Sequence, residues 1–402
     1  MVNLLFNTSH KYRGFTIFNT TMIVLLSLFL SYCGPEKEQK FDSNRMDKSN
    51  NKTHSPRQFE SIKTIRGKKL ATLKEVVDAT DVEIDGEELY VLDEVVVYVY
   101  SLKDYQLLRK FGRKGNGPGE LIYHRVTVVG MEIFQNNVYL YRMYKLVNYS
   151  TDGELKGEKI FRFGFTQVVP MENGLVIVKL RMANQYVAGD EKFGTLTLLH
   201  FDPGLKKSRE IFQKKYLSLD VWKEGKYEIF RPNRNWIVRG SDKQLFLYDT
   251  EKGSSLLTFD QEGRSLDPVV LNIPKAIIPE KFKSDVLSWI KGDPYLKVIT
   301  GEWKLKIIFP RYFPLMRNFT VRNDRIYCQT YIKKGTMSLF YIFNLKGECL
   351  KKIFLPSAER EFIRYGTNKI YDFHHNRYYY LYDNVEEETW ELFCTDLLNL
   401  NH

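Results

Sequence analysis

From Val82 onward the chain repeats one pattern six times. Each unit has an apolar strand, a turn, a second strand ending in Tyr or Phe, a polar turn with Asp or Gly, and a closing strand. The units run Val82–Phe111, Val126–Phe161, Thr166–Phe212, Trp236–Ile273, Asn318–Leu355 and Asn368–Thr395. Their closing turns include Thr151-Asp-Gly-Glu154, Asp202-Pro-Gly204, Asp260-Gln-Glu-Gly263 and Asn344-Leu-Lys-Gly347. The 26 Tyr and 27 Phe suit strands, because aromatic side chains fit a pleated, half-buried surface. One small sheet cannot hide both of its faces; six standing around an axis can. The sixth unit lacks a last strand, and Ser61-Ile-Lys-Thr-Ile-Arg66 is expected to supply it. That pairing would close the ring and leave no open sheet edge.

Between the first two units stands Phe111-Gly-Arg-Lys-Gly-Asn-Gly-Pro-Gly-Glu-Leu121. Glycine permits positive φ, and proline fixes φ and removes a donor, so a compact turn is required here. This motif resembles the inter-blade connection of NHL-like six-bladed β-propellers. Phe309-Pro-Arg-Tyr-Phe-Pro314, Phe343-Asn-Leu-Lys-Gly347 and Ile353-Phe-Leu-Pro356 are similar to the last two blades of propeller lipoproteins of bacterial envelopes. The resemblance covers roughly residues 22–395. It implies an all-β, six-bladed β-propeller with a short helical insertion, and an envelope location, but no reaction.

The N-terminus reads as a targeting segment. Lys11 and Arg13 precede the apolar run Met22–Leu30, which is short for a membrane span, and Ser31-Tyr-Cys-Gly34 follows. This order resembles a bacterial lipoprotein signal, which implies cleavage before Cys33 and lipid on that cysteine. Gly34 after it, where Asp would signal retention at the inner membrane, points to the outer membrane. Residues 34–58 are polar and mixed in charge, too poor in apolar surface to order themselves, and read as a tether. The expected organisation is therefore a signal over residues 1–33, a tether over 34–58 and a propeller over 59–402. Cys328, Cys349 and Cys394 have no metal-ligand spacing, and Cys328 and Cys349 read as buried free thiols on strands.

Two insertions break the rhythm. Gln213–Arg234 is basic and aromatic, and Ile277–Leu315 holds Phe282, Val286 and Ile290 at helical spacing after Pro279. Loops converging on a propeller rim are the natural binding surface. The basic and aromatic residues there are the candidates: Arg113, Lys114, His124, Arg125, Trp222, Arg231, Arg234, Arg311 and Tyr312. Arginine suits carboxylate or phosphate, because its planar fork donates two bonds at once. The net charge of +11 favours an acidic partner, and secretion argues against nucleic acid.

Catalytic signals are sparse. There is no Gly-x-Ser-x-Gly elbow, no Ser-x-x-Lys pair and no phosphate-cradling loop ending in Gly-Lys-Ser/Thr. His124 and His200 are too few for a metal site, and His374-His375 fall in a turn. The sequence thus points to a lipid-anchored, monomeric envelope module without cofactor or metal, binding a protein, a peptide or an anionic polysaccharide. The alternative is a propeller-type hydrolase, lactonase or lyase with a divalent metal at the channel mouth.

Overall fold

The computed structural model describes residues 62–122, 129–181, 193–217, 226–230, 236–241, 243–292, 306–357 and 369–397. Six four-stranded antiparallel sheets follow one another along the chain, and each is a blade. The innermost strands are Ala79–Asp85, Gly130–Phe134, Phe165–Met171, Trp236–Gly240, Asn318–Arg322 and Tyr371–His374. Each touches the innermost strand of the next blade, and that of blade 6 touches that of blade 1, so the ring is closed. The expected six-bladed propeller is what the chain forms.

The hydrophobic core is divided among the seams between blades. Val97, Val99 and Phe111 of blade 1 pack with Val138, Leu140 and Tyr149 of blade 2. Phe246 and Leu256 of blade 4 pack with Phe319, Cys328 and Tyr341 of blade 5. Equivalent clusters fill the other four seams. Strand alternation explains this: each blade offers one apolar face forward and one back. No blade has a core of its own.

Ring closure departs from the expectation in one respect. The strand that completes blade 6 is Lys68–Leu73, pairing with Thr389–Asp396, and not Ser61–Arg66. The earlier segment bridges in parallel to blade 5 at Thr64 and Phe354, with the Phe354 amide donating to the Lys63 carbonyl at 3.0 Å. Its apolar residues are used there, Ile62 on the seam between blades 4 and 5 and Ile65 on that between 5 and 6.

Smaller corrections follow the same outer strands. Blade 2 ends with Leu155–Ile160 where Lys159–Phe161 was expected, and blade 4 with Ser265–Val270 where Val269–Ile273 was expected. The first strand of blade 2 is Gly130–Phe134, just after the anticipated Val126–Val129, and that of blade 6 is Tyr371–His374. Cys328 is buried, but Cys349 is exposed on the outermost strand of blade 5, and Cys394 is partly buried; all three are free thiols. The proposed lipid-bearing Cys33 and the tether lie outside the described residues. Among those that are described, no helix is long and apolar enough to cross a membrane.

The glycine turn is compact, as required. Arg113–Lys114 pairs in parallel with Glu120–Leu121, and the Gly117 amide donates to the Glu120 carboxylate at 2.8 Å. Blade 2 holds the turn through the Tyr149 hydroxyl on the Gly119 carbonyl and Lys145 on the Gly117 carbonyl. Gly112 has φ of 91°, and a Cβ there would sit on the Val95 carbonyl oxygen. Replacing Gly112 by Ala therefore joins a backbone clash to a disfavoured φ, and the expected loss is about 2–4 kcal/mol. Chemical denaturation of Gly112→Ala beside Gly86→Ala, whose positive-φ glycine has open space around it, isolates the clash.

Candidate functional site

The connections that carry the chain from one blade's outermost strand to the next blade's innermost strand all lie on one face. That follows from four antiparallel strands per blade. The two insertions interrupt such connections, after blade 3 and after blade 4. Of the rim residues anticipated from the sequence, Arg113, Lys114, Arg311 and Tyr312 belong to such connections. His124, Arg125, Trp222, Arg231 and Arg234 lie outside the described residues. Of the others, the structure brings Arg311 and Tyr312 together. Arg113 and Lys114 sit half a ring away, after blade 1, with Lys114 reaching Glu94 at 3.5 Å.

Around Tyr312 the surface is built on a rigid base. The helix Glu280–Gly292, begun by Pro279, buries Val286 and Ile290. Its Phe282 joins Phe230, Phe313 and Tyr331 in an aromatic cluster, with Phe313 and Tyr331 stacked at 4.9 Å and 1°. Strand Lys226–Glu228 pairs in parallel with Lys306–Ile308, tying the ends of the two insertions to each other. Above this base Tyr312 bridges to Ile277, and two cations flank its ring. The Arg311 guanidinium lies 5.2 Å from the centroid and the Lys275 ammonium 5.7 Å. Both cations are exposed and Tyr312 is half-buried. Lys275 was missed in the sequence because it stands alone in an apolar stretch, with no charge run to flag it.

The second feature, also missed, is the axial channel. It encloses a cavity of about 80 Å³ lined by charged residues from the inner strands: Asp81 and Glu83 of blade 1, Glu132 of blade 2, Arg239 of blade 4 and Arg322 of blade 5. Lys369 enters from just before the inner strand of blade 6, and Thr320 from blade 5. Several of these groups stitch one blade to the next. The Glu83 carboxylate accepts from the Ile133 amide of blade 2 at 2.9 Å, and Asp372 accepts from the Ile84 amide of blade 1 at 2.9 Å. Gln167 of blade 3 donates to the Val238 carbonyl of blade 4 at 2.6 Å. Arg239 donates onward to the Phe319 carbonyl and the Asn318 side chain of blade 5, each at 3.0 Å. Inner strands of different blades share no ladder, so side chains take over the pairing of buried backbone groups.

Charge within the channel is partly balanced. Lys369 lies 3.4 Å from Glu83 and 3.3 Å from Asp372, and Arg322 lies 3.6 and 3.8 Å from the same pair. Burial works against the Asp372 carboxylate, yet Lys369 and Arg322 outweigh it and hold the group below the ordinary carboxylate range. Burial raises Asp81 well above that range, and burial together with the Glu83 charge pushes Glu132 up to about 8. Among the described residues no three His, Cys, Asp or Glu side chains form a group that could hold a metal ion.

No protein-family model matches the sequence, and no curated protein matches it. Several solved structures are similar in outline. A member of the DUF4221 family from Bacteroides vulgatus is 11% identical, with a TM-score of 0.43 over 82% of this chain and 97% of that one. BamB from Moraxella catarrhalis is 8% identical, with a TM-score of 0.37 over 82% of this chain and all of that one (100%). The Cps50 (Swd1) β-propeller domain of Myceliophteria thermophila is 9% identical, with a TM-score of 0.39 over 82% of this chain and 99% of that one.

Proposed function

We propose that the protein is an interaction module of the bacterial envelope, anchored by lipid on Cys33, that binds an acidic partner on its insertion-bearing face. The observation that carries this reading is the Tyr312 ring flanked by Lys275 and Arg311 above a packed aromatic base. An aromatic ring with two cations close to it suits a sugar ring or peptide side chain that carries a carboxylate. The net charge of +11 adds a long-range attraction toward polyanions. An envelope protein, an acidic peptide and an anionic polysaccharide share this chemistry.

The test is cross-linked capture of partners from the native envelope by the full-length chain, wild type beside the double variant Arg311→Glu, Tyr312→Ala. Both side chains sit at the surface, so the melting temperature is expected to move little. Recovery of the bound partner is expected to fall about tenfold or more, as for loss of an interface anchor. Equal recovery by both chains would remove this face from the function.

A further inference from the structure

The channel contains polar groups that the blade-to-blade stitching leaves over. Glu83 and Asp372 are each engaged by a neighbouring blade's amide and by Lys369 and Arg322. Glu132, in contrast, lines the cavity with no hydrogen bond or ion pair to its carboxylate among the described residues. Among the described residues the Asp81 carboxylate accepts only from the adjacent Val82 amide, at 2.9 Å. The Thr320 hydroxyl, on a residue only 2% exposed, lines the same cavity with no hydrogen-bond partner among the described residues. An unmatched buried hydroxyl costs about 1–3 kcal/mol, so such groups mark places where something else binds.

Their placement around the ring is ordered. Blade 1 stands opposite blade 4 and blade 2 opposite blade 5, so Asp81 faces the side of Arg239, and Glu132 the side of Arg322 and Thr320. Arg239 is fixed by hydrogen bonds to the Val238 and Phe319 carbonyls and to Asn318, which sets the plane of its guanidinium at the cavity wall. A ligand of a single sign would meet its own charge on half of this wall. A ligand with both signs a few bonds apart would meet complementary charge on each side. The cavity of about 80 Å³ is the size of a head group, and holds far more than one water.

We infer that the channel binds a small zwitterion of the α-amino-acid type, its ammonium group against Glu132 and Asp81 and its carboxylate against Arg239 and the Thr320 hydroxyl. The raised Glu132 carboxyl agrees with this: burial and Glu83 leave it in need of a proton or a cationic partner. No bond is made or broken in this binding. The site is separate from the Tyr312 face, and either can stand without the other.

Isothermal titration of the full-length chain in detergent tests the inference with three probes. L-Alanine carries both charges, N-acetyl-L-alanine lacks the ammonium, and ethanolamine lacks the carboxylate. Saturable binding is expected for L-alanine, with the other two at least about tenfold weaker. Glu132→Gln and Thr320→Val are each expected to weaken L-alanine about tenfold, with melting temperatures showing that both remain folded. No saturable binding of L-alanine up to about 10 mM would mean a channel that holds water alone, and would overturn the inference. Equal affinity for either single-charge probe would overturn it too, as would an unchanged affinity in folded Glu132→Gln.

Discussion

A chain that starts after Leu73 is expected to fail as a soluble monomer, whereas one that starts at residue 62 keeps its melting temperature. The shorter chain lacks Lys68–Leu73, and Trp390 through Cys394 lose their partners on the outer edge of blade 6. Leu73, 1% exposed, leaves a seam that also holds Trp390 and Leu392, and the ion pair of Lys69 with Glu391 at 2.5 Å goes as well. Burying one large aliphatic residue is worth about 2–5 kcal/mol by truncation, and an open edge strand is a template for another copy. Against a typical total of about 5–15 kcal/mol, this loss is enough to unfold the ring or drive it into aggregates. Size-exclusion chromatography and thermal melting give the answer. A synthetic peptide of residues 62–76, added during refolding, is expected to restore monomer. A stable monomer without either would show that the ring does not depend on this strand.

The second large effect is expected for Lys369→Met. Lys369 is 7% exposed and Asp372 0%, so the substitution leaves Glu83 and Asp372 buried with Arg322 as their one remaining ion-pair partner among the described residues. Removing one partner from a buried ionic set typically costs about 3–5 kcal/mol, because the remaining charge is desolvated without compensation. The pH dependence identifies the cause. In the folded protein Lys369 and Arg322 hold Asp372 below its ordinary value, so its contribution is present above the usual carboxylate range. It is lost as pH falls through the depressed value. In Lys369→Met much of that depression is gone, so the variant loses less on acidification. Urea denaturation should give a wide gap between the two chains at neutral pH and a narrower one below about pH 3, where Asp372 takes up its proton. A gap of constant size would assign the loss to packing of the lysine stem.

The sequence made the architecture readable because strands ending in Tyr or Phe, with Asp- or Gly-bearing turns, recur six times, and because Pro279 announces the helix. It misled at the outermost strands, which bury one face only and so carry a weak apolar signal. Lys68-Lys-Leu-Ala-Thr-Leu73 shows little alternation, while Ser61–Arg66 carries two isoleucines among polar residues because Ile62 and Ile65 pack, partly buried, against other blades. Arg311 and Tyr312 were legible as a basic and aromatic pair in an insertion. The channel was not. Asp81-Val-Glu83 reads in sequence as a solvated face of an amphipathic strand. Only the convergence of six inner strands turns that face inward and makes its charges partners of Arg239, Arg322 and Lys369. Aligning the first strand of every unit would have revealed it, since five of the six place an ionisable residue there: Asp81, Glu132, Arg239, Arg322 and Asp372.

Joining Lys69 to Glu391 across 322 positions also sets an order of events during synthesis. The first blade is made before blade 6, and its seam with blade 6 stays uncovered until that blade has been made. A contact so distant in sequence is slow to form, and the waiting intermediate exposes apolar surface. Such a protein is well served by being kept unfolded until its whole length is available.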